Sequence, residues 1–228
     1  MPTVVAASTF PQTDAGRSRA EAIAELQDYT GGSGTKHDAK AGRSWDAAVR
    51  FYNATIWKFT RTSQDITLVA STSEYTLDGS FRAPLRAQYV DASGNTREPL
   101  FWINPEERLT FIQEGPNSGP APKRYTIYNQ HELGVVRLVG NLGATSTYPT
   151  LRVSYFHRIA LASGATDRLG VPQDVDEAVF RWALWDLKSK QESVSKLQGE
   201  FAVANSMFEQ ARQTWEGFPD IATLGVGS

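Results

Sequence analysis

The sequence predicts an α+β fold: a helical bundle built from both ends of the chain, with an antiparallel β-sandwich-like domain inserted between them. Three observations carry this expectation. Apolar residues recur every three or four positions near both ends, they alternate in short runs through the middle, and capping signals stand where the period changes. The expected organisation is a flexible arm over 1–17, a helical domain from 18–63 and 164–217, the β domain over 64–163, and a flexible tail over 218–228.

The first residues, rich in Thr, Ser, Pro and Ala, carry no period and read as an arm. Ser18 and Glu21 then stand in capping-box positions ahead of Ala20, Ile23, Ala24 and Leu26, which predicts a helix from Arg19 to Tyr29. Glycines between Gly31 and Gly34 end it. Trp45, Ala48, Val49, Tyr52 and Ile56 fall on one stripe, with Arg43, Asp46, Arg50 and Asn53 opposite, so a second helix is expected from Asp38 to Trp57.

From Gln64 to Arg158 the period drops to two. Strands are expected at 66–69, 74–77, 83–91, 98–103, 124–128, 135–139 and 150–157, with hairpin turns at Ala92-Ser93-Gly94-Asn95 and at 130–134. Asn104 before Pro105 has the form of an N-cap followed by proline in the first helical position, which predicts a short helix to Gln113. The segment GPNSGPAP cannot join a sheet, and its prolines Pro116, Pro120 and Pro122 are candidate contact residues of an exposed loop.

The C-terminal stretch is the organising element. Asp174 and Glu177 form a capping-box pair behind Pro172, and apolar residues then recur from Val175 through Phe180, Leu184, Leu187, Val194, Leu197, Phe201 and Phe208 to Trp215. This predicts one long helix, about 60 Å if straight, with Gly199 as the place where it would kink or break. Its first half is expected to pack on the N-terminal helices, near Trp45 and Tyr52. Its second half has no such cover, so Phe201, Phe208 and Trp215 are candidate interface residues toward a neighbouring chain.

Chemistry is sparse. The chain has 23 basic and 25 acidic residues, which argues against holding nucleic acid by bulk charge and leaves only glancing contact with DNA. It has no cysteine, which excludes disulfides and thiolate catalysis. Gly31-Gly32-Ser33-Gly34-Thr35-Lys36 lacks the phosphate-loop spacing and follows a helix rather than a strand. His37, His131 and His157 are scattered, and no serine sits in a nucleophile elbow. No catalytic, cofactor or metal site is therefore expected. Without an apolar run long enough to span a bilayer, no membrane partner is expected either.

The order of elements is similar to the head-to-tail adaptor family of tailed bacteriophages, of which podovirus tail tubular protein A is one branch. The resemblance rests on the tryptophan-led second helix, the strand TLRVSYFHR and the proline-led helix VPQDVDEAVFRWALWDLKSK, and spans Ser18 to Trp215. It implies a structural virion protein at the head-tail junction, made in the host cytoplasm. It further implies a homo-oligomeric ring, commonly of twelve copies, bound to the portal and to a downstream tail or nozzle protein, with double-stranded DNA passing through without sequence-specific binding. The alternative from the residues themselves is a carbohydrate-binding β-sandwich using Tyr75, Tyr89, Trp102, Tyr125 and Tyr128 in one exposed cleft.

Overall fold

A computed structural model describes residues 16–77, 81–104, 106, 121–130, 133–140, 147–161, 164–190 and 197–217. The fold is α+β, and the described chain divides into two compact units, one over 60–158 and one from 16–59 with 159–217.

In the helical unit, α1 (Arg19–Thr30) starts as expected. Ser18 Oγ accepts from the Glu21 amide, and the Glu21 carboxylate accepts from the Ser18 amide at 2.7 Å, closing the capping box. Gly31 ends the helix in the left-handed region at φ 63°, where a side chain would be strained. The second helix, α2 (Thr35–Tyr52), begins three residues earlier and ends five residues sooner than expected. It stops because Asn53 pairs with the backbone of Ile159, accepting at Oδ1 (2.8 Å) and donating from Nδ2 (3.0 Å). Beyond it the Trp57 indole turns back to donate to the Tyr52 carbonyl at 2.8 Å.

The predicted long C-terminal helix is instead two helices, α3 (Gln173–Ser189) and α4 (Gln198–Trp215). They lie antiparallel: Trp215 Nε1, at the end of α4, donates to Asp174, at the start of α3, while Lys188 pairs with Glu200 at the other end. Each is about 27 Å long or less, not 60 Å. The break precedes Gly199, which sits in the first turn of α4. In sequence it falls where the apolar stripe skips from Leu187 to Val194, leaving a polar run with no face to bury. Nor does the predicted capping box at Asp174 form. Pro172 occupies the cap, and Asp174 lies inside the first turn with Trp215 as its partner.

One core holds this unit together. Leu26 of α1, Trp45, Val49 and Tyr52 of α2, and Val175, Val179, Phe180, Ala183, Leu184 and Leu187 of α3 are buried in it, as are Phe208 and Ala211 of α4. The first half of the C-terminal stretch thus packs on the N-terminal helices as expected. The second half does so too, contrary to expectation, because folding back at the hairpin lays its apolar face on the same core.

The other unit holds two four-stranded sheets. Strands β1 (Arg61–Thr67), β3 (Phe81–Val90), β4 (Thr96–Pro99) and β8 (Thr150–His157) form one, in the order β1-β8-β3-β4. Strands β2 (Glu74–Thr76), β5 (Phe101–Trp102), β6 (Arg124–Gln130) and β7 (Leu133–Val139) form the other, in the order β2-β7-β6-β5, where β5 runs parallel to β6 and all other pairs are antiparallel. Both sheets supply one core: Ala87, Tyr89, Leu151 and Val153 from the first meet Tyr125, Ile127, Val136 and Leu138 from the second. Pro84 sits within β3 although that strand is central. Proline has no amide to donate, and the register with β8 shifts between Pro84 and Arg86. The expected turn at Ala92-Ser93-Gly94-Asn95 is present, held by Asp91, whose carboxylate accepts from the amides of Ser93 and Asn95. Of the predicted helix from Pro105, only Glu106 belongs to the described residues, and the expected arm and tail fall outside them, apart from Gly16 and Arg17.

Candidate assembly surface

A ridge of aromatic rings crosses the helical unit. Phe51 on α2 stacks on Trp182 of α3 at 3.9 Å with the planes 8° apart. Trp182 lies 5.4 Å from Trp185, one turn further along α3, and Trp185 lies 5.1 Å from Phe201 at the start of α4. Three helices therefore contribute to one surface. Beneath it Phe208 supports the ridge, 5.0 Å from both Phe51 and Tyr52. Phe51 at one end of the ridge is 37% exposed and Phe201 at the other 42%, while Trp182 and Trp185 between them are half-buried. Aromatic surface that is contiguous, held by mutual stacking and left exposed is the kind that protein contacts cover, since each ring brings large area at little rotamer cost.

The sequence-derived candidates separate on this frame. Phe201 belongs to the ridge. Phe208 does not: it is 8% exposed and part of the unit's own core, a correction that follows from the hairpin. Trp215 is half-buried at the far end of α4, edge-on to Phe59 at 5.9 Å and tied to Asp174, and shares no surface with Phe201. Pro122 is buried in the β unit, where its carbonyl accepts a 2.8 Å hydrogen bond from Tyr89. Pro116 and Pro120 lie outside the described residues. Phe51, Trp182 and Trp185 lie on the flank of the core stripes of their helices, where apolar periodicity assigns no role. The signal was available: two tryptophans three apart, both off the stripe, in RWALWDLK.

A charged knot fixes the start of the described chain to this unit. The Arg17 guanidinium reaches Glu25 at 2.5 Å, Asp176 at 2.7 Å and Glu177 at 2.5 Å, and lies 4.3 Å over the Phe180 ring. Burial works against its charge, but hydrogen bonds to Glu25 and Glu177 outweigh that and hold its pKa above the ordinary value. At Asp176, only 2% exposed, burial outweighs pairing instead. Burial pushes its carboxyl up, and the pull of Arg17 does not fully offset it.

The aromatics proposed to read a sugar do not share an exposed cleft. Tyr89 and Tyr125 are buried in the sandwich core, and Trp102 and Tyr75 pack against it, the Tyr75 hydroxyl donating to Thr72 at 3.0 Å. Of the histidines, His37 meets Thr30 and His157 meets the Arg158 carbonyl, while His131 lies outside the described residues. Among the described residues no cluster of His, Asp or Glu could hold a metal ion, and no helix is long and apolar enough to cross a membrane.

The sequence model of a family described as SU10 adaptor protein matches residues 15–218. Curated proteins give no match. Solved structures similar to the chain include the neck of an empty gene transfer agent particle computed with C6 symmetry, at 13% identity over 92% of this chain and 95% of that chain, with a TM-score of 0.32. The neck of the native particle computed with C12 symmetry gives 14% identity over 92% and 94%, with a TM-score of 0.33.

Proposed function

Because the chain belongs to the SU10 adaptor protein family, a phage head-to-tail adaptor family of structural rather than enzymatic proteins, we propose that it forms a ring at the head-tail junction of the virion. In this role about twelve copies close a homo-oligomeric ring between the portal and a downstream tail or nozzle protein. Double-stranded DNA passes through it without being read. The observation that carries the assembly role is the aromatic ridge of Phe51, Trp182, Trp185 and Phe201, which a neighbouring copy would cover. Phe201 and Trp215 stand as separate contacts at the two ends of α4, and Pro116 and Pro120 as contacts from the β unit. Synthesis in the host cytoplasm belongs to the same proposal.

Mass photometry of the purified chain, alone and with portal rings, tests it. Ring-sized particles, or portal rings that gain mass, are expected. A monomer at every concentration that also ignores the portal would remove the proposal.

A further inference from the structure

The outward face of α2 carries a charge pattern that the assembly role does not use. Lys36, Lys40, Arg43 and Arg50 recur at intervals of four, three and seven, with Ala47 between the last two, so they run along one line of the helix. That line lies opposite the buried face formed by Ala41, Trp45, Ala48, Val49 and Tyr52. All four cations are exposed, and none has a carboxylate partner among the described residues. From Lys36 to Arg50 the row is about 21 Å long. Of the other exposed cations in the unit, Arg212 pairs with Glu209 and Glu216, Lys190 with Asp186, and Arg168 with Glu21, while Lys58 stands singly without an ion pair among the described residues. The one carboxylate beside the row, Asp46, is paired to Arg19, so four cations stand together as a local positive field on a chain of net charge −2.

We infer that this row contacts the phosphate backbone of duplex DNA, as the face of α2 turned toward the passing duplex. The inference rests on the conduit proposed above and names the residues that line it. A second copy of the chain offers the row few carboxylates in its helical unit: Glu25, Asp176 and Glu177 are taken by Arg17, Asp46 by Arg19, Asp186 by Lys190, and Glu200 by Lys188, leaving Asp28, Asp38 and Asp174 exposed without an ion pair among the described residues. No aromatic side chain stands within the row, so bases have nothing to stack on and contact is confined to phosphates, which carry no sequence information. Four charges per subunit give weak, salt-sensitive contact that lets DNA slide rather than grip.

The test is fluorescence anisotropy of the full chain with two labelled duplexes of unrelated sequence across a series of NaCl concentrations. It compares wild type with Lys40→Gln/Arg43→Gln/Arg50→Gln. Wild type should bind both duplexes alike. The variant should lose about tenfold or more in affinity at low salt, and its slope of log affinity against log salt should be shallower by about 3, near 0.9 per lost phosphate contact. If the triple variant does not fold, Lys40→Gln/Arg43→Gln replaces it, with a slope shallower by about 2. No duplex binding by wild type, or equal binding by wild type and variant, overturns the inference. So does polyglutamate competing as well as duplex, which would make the row a dock for an acidic protein face. Mass photometry of the same samples keeps the two proposals apart: rings without duplex binding remove only this one, and duplex binding through the row without rings removes only the ring.

Discussion

At the scale of single residues, Asp176 shows how burial and pairing oppose each other. Its raised pKa means that the folded chain holds a proton on this group more readily than the unfolded chain does. Its contribution to stability therefore falls as pH rises above the ordinary carboxylate value near 3.8. Arg17→Met keeps the stem over Phe180 and removes the countercharge, leaving a buried carboxylate unpaired. We expect a loss of about 3–5 kcal/mol at pH 7, shrinking as pH is lowered and Asp176 takes up its proton. Urea unfolding of both proteins at pH 7 and pH 5 checks this, and an equal loss at the two pH values would show that Asp176 does not carry the effect. Phe208 is the second residue-scale case. Buried against Tyr52, Trp57 and Trp182, it should cost about 3–5 kcal/mol on replacement by alanine, in the range of Leu184→Ala at about 2–5 kcal/mol. Thermal melts of the two variants settle the matter: a Phe208→Ala protein that melts like wild type would return this ring to an interface role.

Elements meet through close approaches that the chain alone does not reveal. Gly134 opens β7 where Phe81 of β3 passes. A Cβ on Gly134 would lie 2.6 Å from Phe81 Cγ, so the two sheets approach here only because the glycine has no side chain. Gly134→Ala should push the Phe81 ring off its place against Tyr155, 5.7 Å away, and cost about 1–3 kcal/mol as overpacking. Denaturant unfolding measures the loss, and recovery in Gly134→Ala/Phe81→Leu would identify the clash as its cause. A neutral single variant would show that the sheets can separate locally at no cost. The hairpin of α3 and α4 has the same character, since its two ends are tied by contacts far apart in sequence, Trp215 to Asp174 and Lys188 to Glu200.

For the whole molecule, the division between core and ridge predicts that stability and assembly can be changed separately. Phe201→Ser touches an exposed side chain of α4 and should leave the melting temperature of the isolated subunit nearly unchanged, as surface changes usually do. Ring formation should weaken by about tenfold or more, because exposed aromatic anchors contribute heavily to contacts. Parallel melts and mass photometry measure both quantities. A variant that assembles like wild type would place the subunit contact elsewhere.

The order of elements was legible without coordinates because it depends on local rules: the period of apolar residues, the Ser18–Glu21 box, the turn at Ala92-Ser93-Gly94-Asn95. Family resemblance followed from that order, and so did the packing of Trp45 and Tyr52 against α3. Three things required tertiary structure. Continuation of the apolar stripe past Leu187 is compatible with a rod or a hairpin, and the choice falls to whether the second half finds a core to bury itself in, which α3 and the end of α2 supply. Phe208 and Phe201 share one stripe in sequence, yet folding back buries the first and leaves the second at the rim. The ridge itself joins Phe51 to Trp182 across 131 positions of sequence, and periodicity within a single helix carries no information about which flanking residues of other helices come to stand beside it.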